Sequence, residues 1–534
     1  MKIKHLIALS AVAGICGQAA AQSAVDAYNL TPTELRGTAR FVGMGGAFTS
    51  LGGDLSTLGQ NPAGIGIYRR NEIGVSLNLS FRGYNTKASN SNETDNETKC
   101  AFDNVGYIGS ISLPGTLKNF NWGASYSRIN SFDRRSKGHM MPTNTSLSNY
   151  IASYTNGVPS GDILLTESYN PYAESSEDWL SILAYNTYMI NNVGNDSQYA
   201  GLFQNGTDGD ALYETHEWGY TDEYNIDFGG NISDIVYWGI GVGIIDMQYS
   251  REAVYSESMA NAAVYDNRSD VITSGNAGFN LHNQQYISGT GANIKFGLIL
   301  RPIDELRLGV AVHTPTWMHL NHGGIGEVNP YNYTPNGSNN TLSGNSQTDP
   351  FDYSSRLNSP WRFMVGASTV IGGRGILSVD YERVAYDAMS LKQENYNYFG
   401  SSFVSNDYAN EDIKNYFRAA NIIRIGAEYR VTPAFSVRAG YNYQQSAVKE
   451  DAVNGSLEIF TSGTNPAYTF NKDTQSISLG LGYRYKAWYI DATYQHVHQG
   501  ATYHAYTNFN GSIAPTAEIS NNFNNIVIST GLKF

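Results

Sequence analysis

The side chains best able to do chemistry in this sequence are histidines. His496, His498 and His504 form one group, and His313, His319 and His322 another. Imidazole is the commonest metal ligand, so either group could hold a metal or haem iron. Both groups lie at the polar ends of alternating segments, where solvated histidines are ordinary, so neither is read as a metal centre and no cofactor is expected. Other chemistries lack their residues. The sequence holds no G-x-S-x-G nucleophile turn and no H-E-x-x-H zinc motif. The Gly43-x-Gly45-Gly46 cluster lacks the sixth-position glycine and the flanking βαβ unit of a dinucleotide site. Acidic pairs such as Glu450-Asp451 read as solvated loop charges. The chain is not expected to be an enzyme.

The histidines stand at the ends of a recurring element. Ile73, Val75, Leu77, Leu79 and Phe81 alternate with Glu72, Gly74, Ser76, Asn78 and Ser80. A period of two puts the sets on opposite faces of a strand, one suited to lipid and one to a polar lumen. Similar units centre on Val105–Ile111, Phe120–Tyr126, Tyr224–Phe228, Val236–Ile244, Ala292–Leu300, Leu306–Val312 and Trp361–Ala367. Others centre on Leu377–Tyr381, Ile423–Val431, Phe435–Tyr443, Ile477–Tyr485, Trp488–Tyr494 and Ile526–Phe534. They make fourteen strands, an even number as bacterial barrels require.

Composition fits this reading. In 534 residues only 15% are charged, yet mean hydropathy is −0.34. The polarity comes from uncharged residues, with 55 Gly and 39 Tyr. A helical cytosolic enzyme carries about 25% charged residues, and a helical membrane protein needs apolar runs of about 18 residues or more, which are missing. The net charge of −13 argues against nucleic acid as a partner. Residues 1–21 read as a secretory leader: Lys2 and Lys4, an apolar stretch from Leu6 to Ile15, and Ala19-Ala20-Ala21 before Gln22. Cys16 raises a lipoprotein alternative, which Ile15 opposes by occupying a small-residue position. Cleavage leaves Cys100 alone, so no intramolecular disulfide and no cysteine zinc site is expected.

Connection lengths alternate. Short turns fall at 114–119, 231–235, 301–305, 372–375, 432–434 and 486–487. Long polar stretches fall at 83–102, 133–219, 251–283, 317–359, 386–420, 446–473 and 498–521. That is the outer-membrane plan of periplasmic turns and extracellular loops, which a soluble β-sandwich does not share. The expected fold is all-β, a 14-stranded antiparallel transmembrane β-barrel in the bacterial outer membrane, in contact with its lipid. Phe534 ends the last strand on an apolar face and resembles the terminal signal read by barrel-assembly machinery.

Residues 22–70 precede the first strand; the barrel spans 71–534. The segment carries Thr38-Ala39-Arg40-Phe41-Val42-Gly43-Met44-Gly45-Gly46-Ala47-Phe48, then Gly52-Gly53-Asp54, then Asn61-Pro62-Ala63-Gly64. In this order and place it resembles the N-terminal region of the FadL/TodX-type family, outer-membrane transporters for long-chain fatty acids and other hydrophobic compounds. The resemblance implies a hatch inside the lumen, with Gly43, Gly45, Gly46, Asp54, Asn61, Pro62, Ala63 and Gly64 as gating residues. It further implies capture of a hydrophobic small molecule in an extracellular groove, diffusive passage as the hatch rearranges, and lateral exit at an irregular third strand, here 120–132. Fourteen strands enclose a lumen too wide for wall side chains alone to fill. A plain tight turn is the other reading of Asn61-Pro62. None of the family's substrate-contacting residues can be matched in the long loops. Two other functions fit the same barrel: a surface receptor for haem or adhesion, and a general porin.

One long loop shows helical periodicity instead. Trp179, Ile182, Leu183, Met189 and Ile190 recur at three- and four-residue spacing, with Ser175 and Asp178 as an N-terminal capping pair. Trp179, Ile182, Leu183 and Ile190 are expected either to pack on neighbouring loops or to wall an apolar entry groove.

Overall fold

The computed structural model describes residues 23–89, 91–266, 271–397 and 400–534; the leader lies outside them. Fourteen antiparallel strands close into a cylinder. They are β1 (Glu72–Ala88), β2 (Ser91–Ser112), β3 (Leu117–Ser131, resuming as Arg134–Thr143), β4 (Asp208–Ile232), β5 (Val236–Tyr265) and β6 (Ile272–Ile303). Then come β7 (Leu306–His313 and Trp317–Pro335), β8 (Phe351–Asn358 and Arg362–Ile371), β9 (Gly375–Val384) and β10 (Ala420–Arg430). The last four are β11 (Phe435–Gln444), β12 (Tyr468–Tyr485), β13 (Trp488–His504) and β14 (Thr516–Lys533). Each pairs with its sequence neighbour, and β14 closes on β1 from Glu72↔Lys533 to Lys87↔Glu518.

The alternation predicted from sequence is realised as a lipid belt. Ile73, Leu77, Leu79 and Phe81 of β1 are exposed, as are Ile240, Val242 and Ile244 of β5 and Ile477, Leu479 and Leu481 of β12. Residues between them face inward, so Ser76, Asn78, Ser80 and Arg82 are buried. Closing the cylinder pairs nearly every strand edge that lipid would otherwise desolvate, which makes it one of the two ways a chain can span a bilayer.

The long-loop end differs from the sequence reading. Stretch 83–102 is not a loop: β1 and β2 stay paired from Glu72↔Ile108 up to Ala88↔Ser91. Most of 251–283 likewise extends β5 and β6, and 317–335 and 351–358 extend β7 and β8. Above the belt, beyond Phe81 on β1 and its partner Thr98 on β2, there is no lipid, so the outward positions lose their apolar residues while the hydrogen-bonded ladder continues.

Helices cap the long-loop end. In the β3–β4 connection they are α3 (Leu147–Thr155), α4 (Ser160–Ile163), α5 (Pro171–Glu174) and α6 (Trp179–Asn186), preceded inside the lumen by α1 (Ala24–Leu30) and α2 (Ala39–Gly43). Later connections add α7 (Asp407–Tyr416) and α8 (Glu450–Val453). The cap of α6 is Asp178, which accepts from Ser181 N at 3.0 Å. Ser175 instead accepts from Glu177 N and ends the preceding turn.

Candidate functional site

The N-terminal segment fills the cylinder. Thr38 caps α2 by accepting from Phe41 N, and its hydroxyl donates to Asp54 Oδ1 at 2.7 Å. Asp54 in turn caps the 3₁₀ turn Leu55–Gly59, accepting from Ser56 N at 2.9 Å. One carboxylate therefore joins two turns of the plug. Asn61 is fully buried and caps the next 3₁₀ turn, Pro62–Ile67, accepting from Ala63 N at 3.0 Å. Its amide donates to Thr49 O at 2.6 Å. Pro62 sits at the first position of that turn, where its missing N–H is not needed.

The plug backbone lies directly on the wall. A Cβ at Gly45, whose φ is +64°, would come within 2.7 Å of Tyr441 O; one at Gly43 would meet Thr493 Oγ1 at the same distance. Gly46 takes a positive φ as well, and Gly64 packs on Gly52 within the plug. The wall answers with glycines of its own. A Cβ at Gly297 would lie 1.9 Å from Asn61 Oδ1, at Gly309 2.1 Å from Thr49 O, at Gly426 2.4 Å from Met44 O, and at Gly440 2.1 Å from Gly45 N. Sequence reasoning missed these wall positions. Their signal was present: glycine at inward positions of otherwise alternating strands.

Charged groups complete the seat. Arg40 of α2 pairs with Glu428 at 2.9 Å, Glu428 with Arg438 at 2.6 Å, and Arg438 with Asp491 at 2.6 Å. Arg36 is held by Asp103 at 2.5 Å and Glu34 at 2.8 Å. Thr49 N donates to Asp380 at 2.7 Å, and Lys295, bound to Glu223 at 2.6 Å, donates to Gly59 O at 3.2 Å. Such buried pairs cost desolvation and make poor general stabilisers. What they fix here is register, because removing either partner leaves a charge in the lumen wall.

The histidines have structural partners. His313 donates to Gln60 O of the plug at 2.8 Å. His496 and His498 each meet an asparagine amide oxygen at 3.0 Å, on Asn524 and Asn522. His504 stacks on Tyr468 and His322 on Tyr353. Above the belt, burial pushes His504 down to about 4 and His322 down to about 3, so both are neutral packing groups. His319 lies edge-on to Phe403. Among the described residues no group of three or more His, Cys, Asp or Glu could hold a metal ion.

Above the plug lies a cavity of about 180 Å³. Toward the long loops it is walled by Leu30, Ile245, Met318, Val384 and Ile422; toward the plug it meets Arg36, Glu223, Lys295, Arg362, Glu382 and Arg424. Its apolar wall continues into the cluster that encloses α1, which buries Val25, Tyr28 and Leu30 against Met247, Ile287, Leu320 and Phe417. A second cavity, of about 100 Å³, runs beside the plug and is lined by polar groups including Asn442, Ser476, Gln495 and Asn525.

The first cavity also reaches Ser127, Arg128 and Ile129, where the wall is irregular. The β2–β3 ladder ends at Asn104↔Ser127, although β2 continues to Ser91 on its β1 side. β3 bulges between Arg128 and Asn130, and its outer arm, Arg134–Thr143, pairs with β4. Ile129 O instead accepts from Glu34 N of the plug at 2.9 Å.

The α6 stripe is packed within the cap. Ile182, Leu183 and Ile190 are fully buried in a cluster with Leu147, Ile151 and Tyr333, while Trp179 is partly exposed and edge-on to Tyr172 and Phe351. The cap is anchored at Glu257 of β5, which accepts from Leu147 N and from Tyr255 OH at 2.8 Å each and from the Ser146 hydroxyl. Burial raises this carboxyl to about 7. At the opposite end Phe534 is exposed, and its N and O both pair with Asn71 at 3.0 Å.

No protein family matches the sequence, and no curated protein does. Solved structures match over nearly the whole length. A Pseudomonas aeruginosa FadL homologue is 13% identical, with 95% of this chain and 99% of that chain covered at a TM-score of 0.52. The Pseudomonas putida toluene transporter TodX is 13% identical over 95% and 100%, at 0.49, and the Ralstonia pickettii toluene transporter TbuX is 13% identical over 94% and 99%, at 0.42. This chain's fourteen-stranded barrel thus shares the fold of the FadL homologue. An even-stranded barrel with a lipid belt places the chain in the bacterial outer membrane.

Proposed function

We propose that this chain is an outer-membrane channel for the diffusive uptake of hydrophobic small molecules such as long-chain fatty acids. The observation that carries the reading is the cavity above the plug. Its apolar wall would take a hydrocarbon body and its charged face a polar head, and it adjoins the place where β2 and β3 part. In this reading residues 1–21 are removed on export, and residues 22–70 act as a hatch whose seat passes through Asp54, Asn61 and the glycines at 43, 45, 46 and 64. The substrate is captured at the cap, where Trp179, Ile182, Leu183 and Ile190 offer apolar surface once the cap loosens. It then enters the chamber as α1 yields, and leaves through the wall beside β3. No step requires an energy source or a covalent reaction.

The second, amide-rich cavity favours a rival reading, passage of small hydrophilic solutes. Buried Gln495 Nε2 and Ser476 Oγ beside it have no protein partner and so invite water or a polar guest. The two readings separate in proteoliposomes offered a fluorescent alkyl-chain probe and a small sugar. The hydrophobic channel admits the alkyl probe and excludes the sugar, and a chain lacking residues 22–60 admits both. Equal permeability of the intact chain to both probes would establish the porin; no gain on removing the segment would refute the hatch.

A further inference from the structure

At lipid depth a strand edge is tolerated only where protein or water covers it. β2 breaks that pattern. Its Phe102, Cys100 and Thr98 stand opposite the lipid-facing Leu77, Leu79 and Phe81 of β1, yet on the other side the β3 ladder has already ended. From this depth up to Ser91 the wall between β2 and the outer arm of β3 is closed by side chains. Glu93, Asp95, Glu97 and Lys99 share one face of β2 by period two. Across the seam Lys137 meets Glu93 at 4.0 Å, Arg135 meets Asp95 at 3.6 Å and Glu97 at 3.3 Å, and Asp133 meets Lys99 at 3.4 Å. At the top Ser91 Oγ accepts from His139 N and donates to His139 O, both at 3.0 Å. A 300 Å³ cavity lies along the seam between Glu93, Asp95, Arg135 and Lys137.

We infer that this seam is an ionic latch on the channel wall, opening and closing the lateral route for the hydrophobic substrate; the inference rests on the transport reading above. A hydrogen-bonded ladder parts only at high cost, because each separated backbone pair loses its partners in lipid. Half-exposed ion pairs part easily, and salt screens them. The alternating signs hold two strand edges together without fusing them into sheet. The seam therefore parts from the long-loop end downward to the depth of Leu77 and Phe102. Ionic strength sets how often it does so.

The test uses the full-length chain in proteoliposomes with a fluorescent fatty acid, and checks barrel folding by heat-modifiable electrophoretic mobility. In a Cys100→Ser background, Asp95→Cys and Arg135→Cys are joined by a short bis-methanethiosulfonate, which forms a reducible disulfide with each thiol and expels methanesulfinate. Joining them should cut uptake on the order of tenfold, and reduction should restore it. Arg135→Glu with Lys137→Glu should raise uptake several-fold at low salt and abolish its increase with salt, while adding Glu93→Lys and Asp95→Lys should return both to wild type. A transporting wild type whose cross-linked form is equally fast overturns the latch alone. A wild type that carries no probe overturns the transport reading and, with it, the role of the seam.

Discussion

Replacing Gly440 by alanine should unseat the plug and leave the cylinder intact. The new Cβ would lie 2.1 Å from Gly45 N, 2.5 Å from Met44 C and 2.8 Å from Gly45 Cα. All three are backbone atoms, so no flexible side chain can swing aside. Restoring an ordinary contact of about 3.5 Å requires the plug to retreat by about 1.4 Å. Two hydrogen bonds that tie α2 to the wall do not survive such a shift: Ala39 N to Ser529 Oγ at 2.7 Å and Thr493 Oγ1 to Ala39 O at 2.6 Å. Their loss costs roughly 1–3 kcal/mol, and the overpacking itself roughly 1–3 kcal/mol. Together these raise the unseated fraction from about thirtyfold to more than ten-thousandfold. Single-channel recording in planar bilayers reads that fraction as open-state conductance. Gly83→Ala is the control, because its Cβ would meet nothing closer than 3.4 Å. A Gly440→Ala barrel as tightly closed as wild type would refute the argument that wall glycines seat the plug.

Three further outcomes follow from the cap and the closing strand. Burial raises Glu257 to about 7 from the ordinary 4.5 of a glutamate; its contribution to cap docking is complete below pH 4.5 and is lost as pH rises through 7, by roughly 3 kcal/mol. Proteolysis of 147–190 should therefore be faster at pH 8 than at pH 5 in wild type, and Glu257→Gln should flatten that difference; a cap protected equally at both values contradicts the sign. Trp179→Ser with Leu183→Ser removes apolar burial worth several kcal/mol (about 2–5 for a leucine-sized deletion) and should weaken uptake of an alkyl probe at constant surface expression, leaving sugar exclusion unchanged. Phe534→Ser should reduce the amount of barrel in the outer membrane, counted after fractionation, more than it alters transport per inserted molecule; normal levels would show that the terminal ring carries no assembly signal.

The lipid belt was legible because lipid imposes one rule on every strand: outward positions such as Ile73, Leu77 and Ile240 must be apolar. The short turns were legible for the same reason, since they interrupt that rule. Above the belt the rule lapses. Tyr84, Thr86 and Ala88 alternate with Gly83, Asn85 and Lys87 without a hydropathic signal, so an extended hairpin reads as loop. Within the plug, Asp54 and Asn61, which the family resemblance singled out, both cap local turns. The wall partners of Arg40 and Thr49 were not legible, because Glu428, Asp380 and Gly309 meet the plug only through closure of the cylinder. The α6 stripe shows the converse: periodicity revealed a helix, but not which apolar surface it would cover.

The plug touches both ends of the wall. Ala39 bonds to Ser529, 490 residues away, while Arg36 reaches Asp103 on β2 and Thr49 reaches Asp380 on β9. The segment ahead of β1 therefore has no complete berth until β14 arrives. Contacts of such sequence separation form late and slowly. The N-terminal stretch must be gathered inside an open, curving sheet and enclosed when β14 meets β1, since a finished cylinder offers no edge through which to introduce it. Sealing the wall and stoppering the pore are in this sense one event, and a barrel that fails to close is also one that has never been plugged.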